Sequence, residues 1–115
     1  MGKRTKKPEW RAALDDFIAA VKAEYGERLE HIVLYGSRAR GDARQDSDVD
    51  VLVVLREVAN PWEERHHLGD IAYRVTAEAD RWDTLLSVQV VSAEEYRRAD
   101  WPFQMNVHRE GLVLA

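Results

Sequence analysis

His31 to Leu55 reads HIVLYGSRARGDARQDSDVDVLVVL, and the fold follows from how this stretch divides. His31-Ile32-Val33-Leu34-Tyr35 is short, apolar and partly β-branched, and it halts at Gly36-Ser37, the pattern of a buried strand. Arg38 to Ser47 is polar and contains Gly41, which suits a brief helical turn and then a loop. Val49 to Leu55 predicts a second strand, ended by the turn signal Asn60-Pro61. Asp50 interrupts this apolar run, where a strand covered on both faces excludes an unpaired charge. That carboxylate needs a reason of its own.

Working outward, apolar residues at Trp10, Ala13, Leu14, Phe17, Ile18, Val21 and Tyr25 predict one helix face over residues 8–25. Pro8 suits its first turn and Gly26 its end. Leu68, Ile71, Ala72, Val75 and Ala79 predict a second long helix, with Trp62 near its start and Trp82 just past its end. Leu85 to Val91 predicts a third strand, with Ser87 and Gln89 on the side opposite Val88 and Val90. Ser92-Ala93-Glu94-Glu95 has capping-box spacing and opens a short helix. Pro102 to Glu110 predicts a last helix stopped by Gly111, and Leu112 to Leu114 a terminal strand or tail. The order α-β-α-β-α-β-α describes an α/β (α+β) domain, helices packed on a sheet of three or four strands.

The chain has 115 residues, enough for one ordinary domain, and we expect it to span residues 8–115 behind a basic, disordered tail at 1–7. Hydrophobic residues make up 45% and charged residues 33%, a globular balance with no membrane span. Lys3, Arg4, Lys6 and Lys7 reduce the net charge to −4; residues 8–115 hold thirteen basic against twenty-one acidic residues, or −8. A body of that sign repels a duplex backbone and suits cations. No cysteine is present, so disulfides, thiolate metal sites and cysteine nucleophiles are excluded. The basic opening is followed by no apolar signal core, and we expect a cytoplasmic protein.

Chemistry concentrates in Gly36-Ser37, ten residues, then Asp48-Val49-Asp50. Two aspartates two apart on a strand leave from one face with α-carbons roughly 6.6 Å apart. They can converge on a shared cation. Mg²⁺ prefers carboxylate oxygen and is usually shared with substrate phosphates, so an aspartate pair beside a phosphate cradle is sensible ligation. Gly36 lets backbone approach a phosphate closely, and Ser37 offers a hydroxyl and a helix-start amide. Arg38, Arg40 and Arg44 could offset triphosphate charge. His66-His67 lacks helical ligand spacing, and His31 and His108 stand alone.

At these residues the chain resembles the minimal nucleotidyltransferases of the DNA polymerase beta-like superfamily. The pattern Gly-Ser, about ten residues, then Asp-x-Asp is met by Gly36, Ser37, Asp48 and Asp50, with Ala39 and Gly41 completing the surrounding form. The resemblance implies the polymerase beta-like core with a mixed sheet. It also implies transfer of a nucleoside monophosphate, often AMP from ATP, to an acceptor hydroxyl. Asp48 and Asp50 become catalytic metal ligands for Mg²⁺, and Gly36, Ser37, Arg38 and Arg40 the nucleotide-binding residues. Many small members are antitoxins paired with a HEPN-type ribonuclease toxin, which implies such a partner. The family's third carboxylate lies on a later strand, where this chain offers Ser87 and Gln89; Asp83 has the same parity and substitutes if that strand begins early. Two other readings stay open: a binding subunit that neutralises its partner by contact, and transfer to a small molecule such as an aminoglycoside.

Overall fold

A computed structural model describes residues 8–115, and the expected tail at 1–7 lies outside the described residues. Helix α1 (Glu9–Tyr25) begins just after Pro8 and buries Ala13, Leu14, Phe17, Ile18, Val21 and Tyr25, the predicted face. It ends at Gly26, whose φ of +54° most side chains resist. One 3₁₀ turn, Gly26–Arg28, then leads into β1 (Leu29–Tyr35), which starts two residues earlier than the apolar pattern indicates. After α2 (Ser37–Arg40) and the loop, β2 (Val49–Leu55) is buried at every residue but Asp50.

Helix α3 (Pro61–Glu78) has Pro at its first position, and Asn60 caps it by accepting from the Glu63 N–H at 3.2 Å. Strand β3 (Leu86–Ser92) runs straight into α4 (Ala93–Arg98) through the expected capping box of Ser92 and Glu95. Helix α5 (Pro102–Glu110) and the two-residue β4 (Leu112–Val113) complete the chain.

The four strands form one mixed sheet in the order β3-β2-β1-β4. Strands β1 and β2 are antiparallel, β4 is antiparallel to β1, and β3 is parallel to β2. The parallel pair requires a crossover, which α3 supplies. Strand alternation divides the core. Ile32, Leu34, Val49, Val51, Val53 and Leu55 pack with α1 and α3, while Val33, Leu52 and Val54 pack with Val91, Ala93 and Val107 from β3, α4 and α5. By the same alternation Tyr35, Asp50 and Ser87 belong to the second face, at the sheet end where β1 stops and β2 and β3 begin.

Candidate active site

The sheet register sets the floor of the site. Tyr35 is opposite Asp50 on the antiparallel side, and Ser87 is opposite Asp50 on the parallel side. The three side chains therefore form a row across neighbouring strands about 4.8 Å apart. Gly36 follows Tyr35 directly with φ +76°, turning the chain into α2. A Cβ at Gly36 would overlap Oδ2 of Asp50 and stand 3.1 Å from its Cγ. The carboxylate thus fills the space that glycine's missing side chain leaves, so the Gly-Ser bend and the second aspartate are brought together.

Asp48 lies in the chain just before β2 and is exposed, while Asp50 is half-buried. Burial raises the Asp50 pKa above the ordinary carboxylate value, the charge of Asp48 raises it further, and Arg40 pulls it down. A carboxylate whose charge is disfavoured by a neighbouring carboxylate is suited to a cation shared with that neighbour. Tyr35 is pushed up to about 12, first by burial and then by the charge of Asp50. Its ring meets Phe103 of α5 edge-on, with centroids 5.3 Å apart, so α5 walls the site on that side.

Arg40 reaches that wall too, pairing with Asp42 at 3.2 Å and Glu110 of α5 at 3.3 Å. Arg38 is engaged elsewhere. Its Nη2 donates to the carbonyls of Gln45 at 3.2 Å and Ser47 at 3.0 Å, and its guanidinium lies 5.1 Å over the Trp10 ring. This side chain ties down the loop immediately before Asp48. The Arg44 N–H donates to Ser47 Oγ at 2.8 Å, closing a turn in the same loop.

Asp83 does not reach the row. Strand β3 begins at Leu86, and the turn closed by the Thr84 N–H donating to the Arg81 carbonyl at 3.0 Å holds Asp83 outside the strand. There it lines a cavity with Trp10, Arg38 and Ser47, so the early strand start that would make it a third carboxylate is corrected. Among the described residues no three carboxylate or imidazole groups gather where they could hold a metal ion. The pair Asp48 and Asp50 nevertheless fits magnesium bound with a nucleotide, since that ion takes one or two carboxylates and completes its shell with phosphate oxygens and water.

A family model described as a nucleotidyltransferase domain matches residues 14–109. The chain belongs to the nucleotidyltransferase domain family. The Methanocaldococcus jannaschii protein named "Putative protein adenylyltransferase MJ0604" is 30% identical over 108 residues, covering 89% of this chain and 94% of that one. A solved structure described as "putative minimal nucleotidyltransferase" superposes with a TM-score of 0.59 at 25% identity, over 98% of this chain and 100% of its own. A toxin-antitoxin crystal structure with AMP-PNP shares the fold, with a TM-score of 0.51 at 19% identity, over 88% of this chain and 72% of that chain. The nucleotidyltransferase fold expected from the sequence is present, and within it Gly36 lies against the Asp50 carboxylate.

Sequence reasoning assigned no role to Tyr35, Phe103 or Glu110. Tyr35 has a weak signal, since its parity in β1 opposes that of Leu34. Phe103 and Glu110 reach the site only because α5 packs back over the sheet, which nothing in the local pattern encodes.

Proposed function

We propose that this nucleotidyltransferase moves a nucleoside monophosphate, AMP from ATP, to a hydroxyl of a partner protein. We further propose that it acts in the cytoplasm as the antitoxin of a HEPN-type toxin. The juxtaposition of Gly36 with the Asp50 carboxylate carries the reading. The name of the MJ0604 relative supports protein adenylylation, and the shared fold of the toxin-antitoxin assembly supports the pairing.

Asp48 and Asp50 would hold Mg²⁺ through carboxylate oxygens. The bound ion supplies charge neutralisation on the triphosphate and a lower pKa for the attacking hydroxyl. Gly36 admits the phosphates against the backbone, and Ser37 donates its hydroxyl to a phosphate oxygen. Arg40 adds positive charge beside Asp50, while Arg38 keeps the loop, and with it Asp48, in place. The acceptor hydroxyl would attack the α-phosphorus in line, its proton passing to solvent, as the bond to the β-phosphate breaks and pyrophosphate leaves.

Incubation with Mg-ATP and the protein encoded by the adjacent gene tests this. The partner should gain one or more AMP masses, and Asp48→Asn should abolish the gain. A second reading, neutralisation by contact alone, draws on Ser87 standing beside Asp50 where a third carboxylate is expected. Neutralisation that survives Asp48→Asn with no added mass would favour it.

A further inference from the structure

The two ends of the sheet are built differently. Strand β4 closes one side with two residues, a length too short to recruit another strand. Strand β3 closes the other with seven, and no described strand pairs with its outer side. Soluble proteins usually break such an edge with lysine, proline or an inward charge. Leu86-Ser87-Val88-Gln89-Val90-Val91-Ser92 has none of these, in a chain that is 33% charged.

The direction of its free groups can be worked out. The Val49 N–H donates to the Leu85 carbonyl at 2.9 Å. In a parallel ladder alternate residues bond to the same neighbour, so residues 85, 87, 89 and 91 serve β2. Leu86, Val88 and Val90 then direct their N–H and C=O groups away from the sheet, while the Ser92 N–H is taken by Glu95 Oε1 at 3.4 Å in the capping box. Beside this edge, between α3 and β3, runs a groove of about 380 Å³ lined by Tyr73, Trp82, Leu85 and Val88. Tyr73, Trp82 and Leu85 are 65%, 58% and 61% exposed, and the two aromatic rings meet edge-on at 5.8 Å.

We propose that β3 pairs antiparallel with β3 of a second copy of this chain, about a two-fold axis through Gln89. Gln89 is the central residue of the strand, so this axis alone overlaps all seven residues. It also satisfies the ladder. Val88 and Val90 of opposite copies become the hydrogen-bonded pairs, and the two Gln89 residues a non-hydrogen-bonded pair whose amides can bond to each other. Charge favours a second copy at this place. Residues 8–115 carry −8, so most faces of two copies repel, whereas an uncharged strand meets its own image without that cost. Tyr73, Trp82 and Leu85, exposed beside the edge, add apolar surface to the contact. The contact is isologous and closes on itself.

The chain has no cysteine, so single introduced cysteines report the register directly. Gln89→Cys should give a covalent dimer under mild oxidation, because a non-hydrogen-bonded antiparallel pair has its α-carbons about 4.5 Å apart, within disulfide range. Ser87→Cys, on the same face but offset from its symmetry mate by roughly 13 Å along the strand, should form no covalent dimer. Light scattering of the unmodified chain should give the mass of two copies. Val88→Pro, which removes an outward N–H and leaves the β2 ladder intact, should give the mass of one with its circular dichroism preserved. A monomeric native chain at about 100 μM, well above the Kd of a specific interface, would overturn the proposal. So would crosslinking through Ser87→Cys in place of Gln89→Cys, or a dimer unaffected by Val88→Pro. If Val88→Pro fails to fold, the two cysteine variants decide.

Discussion

The carboxylate of Asp50 occupies the space where a side chain on Gly36 would stand. One residue directly follows β1 and the other is the second residue of β2, and their contact turns two separate sequence signals into a single site. The glycine is required twice, by its φ of +76° and by the carboxylate beside it.

Gly36→Ala should therefore abolish transfer while leaving the fold in place. An alanine there must hold a backbone conformation that glycine alone ordinarily adopts, at about 1–3 kcal/mol, and must also push Asp50 aside. Activity, magnesium-nucleotide affinity and the melting temperature should be measured together. A variant with unaltered nucleotide affinity would remove the basis for placing phosphate at this bend.

Asp50→Asn should lower transfer at least as far as Asp48→Asn without lowering the stability of the ligand-free protein. The Asp50 carboxyl is held above its ordinary pKa by burial and then by Asp48, so its charged form costs stability above that raised value and the cost vanishes as pH falls below the ordinary one. The amide escapes this. Saturating Mg-ATP should raise the melting temperature of the native chain, by the equivalent of about 2.7 kcal/mol at one hundred times Kd. Neither variant should respond. A thermal shift in Asp48→Asn equal to that of the native chain would contradict the proposed ligation.

Glu64 gives a pH dependence of opposite sign, far from the site. It accepts from Tyr25 Oη at 2.8 Å and Arg28 Nη2 at 2.5 Å, joining α3 to the end of α1. Burial raises its pKa, but the hydrogen bonds from Arg28 and Tyr25 outweigh this and the net value falls below the ordinary one. The network therefore adds stability above the unfolded pKa and loses it as pH drops through the lowered folded value. Urea midpoints for the native chain and Glu64→Gln should converge between about pH 7 and about pH 3. The gap should be modest, because Arg28 is exposed to screening solvent. A gap that widens toward acid would contradict the assignment.

Gly111→Ala should destabilise the fold by about 1–3 kcal/mol through overpacking. A Cβ there would stand 2.7 Å from Cγ1 of Val33 and overlap the Val107 carbonyl, where α5 gives way to β4. Chemical denaturation measures it. Unchanged stability would mean that the β1, α5 and β4 junction relaxes freely.

The elements themselves were legible because each has a local cause. The apolar spacing of α1, the Asn60-Pro61 start of α3, the Ser92 to Glu95 box and the Gly111 stop act within a few residues, and the structure shows all four. Asp50 was legible as an exception to its own strand. Boundaries moved where pairing partners extended a strand: β1 begins at Leu29 because Leu29 pairs with Leu55, and β3 runs from Leu86 to Ser92 opposite the whole of β2. The reach of Arg38 and Arg40 was not legible. Which carbonyls or carboxylates a long cation finds depends on loops and helices brought in from elsewhere in the chain.

By itself the amino-acid order determined the elements, their succession and the Gly-Ser and Asp-x-Asp signals, since propensity, capping and strand alternation are short-range effects. Tertiary structure alone decided that Tyr35, Asp50 and Ser87 share one row, that Arg38 braces the loop while Arg40 flanks the carboxylates, and that Asp83 stays outside. Among the described residues it also left β3 as an open edge. Strand register and order are settled by which surfaces can be buried together, a condition on the whole chain that no segment carries alone.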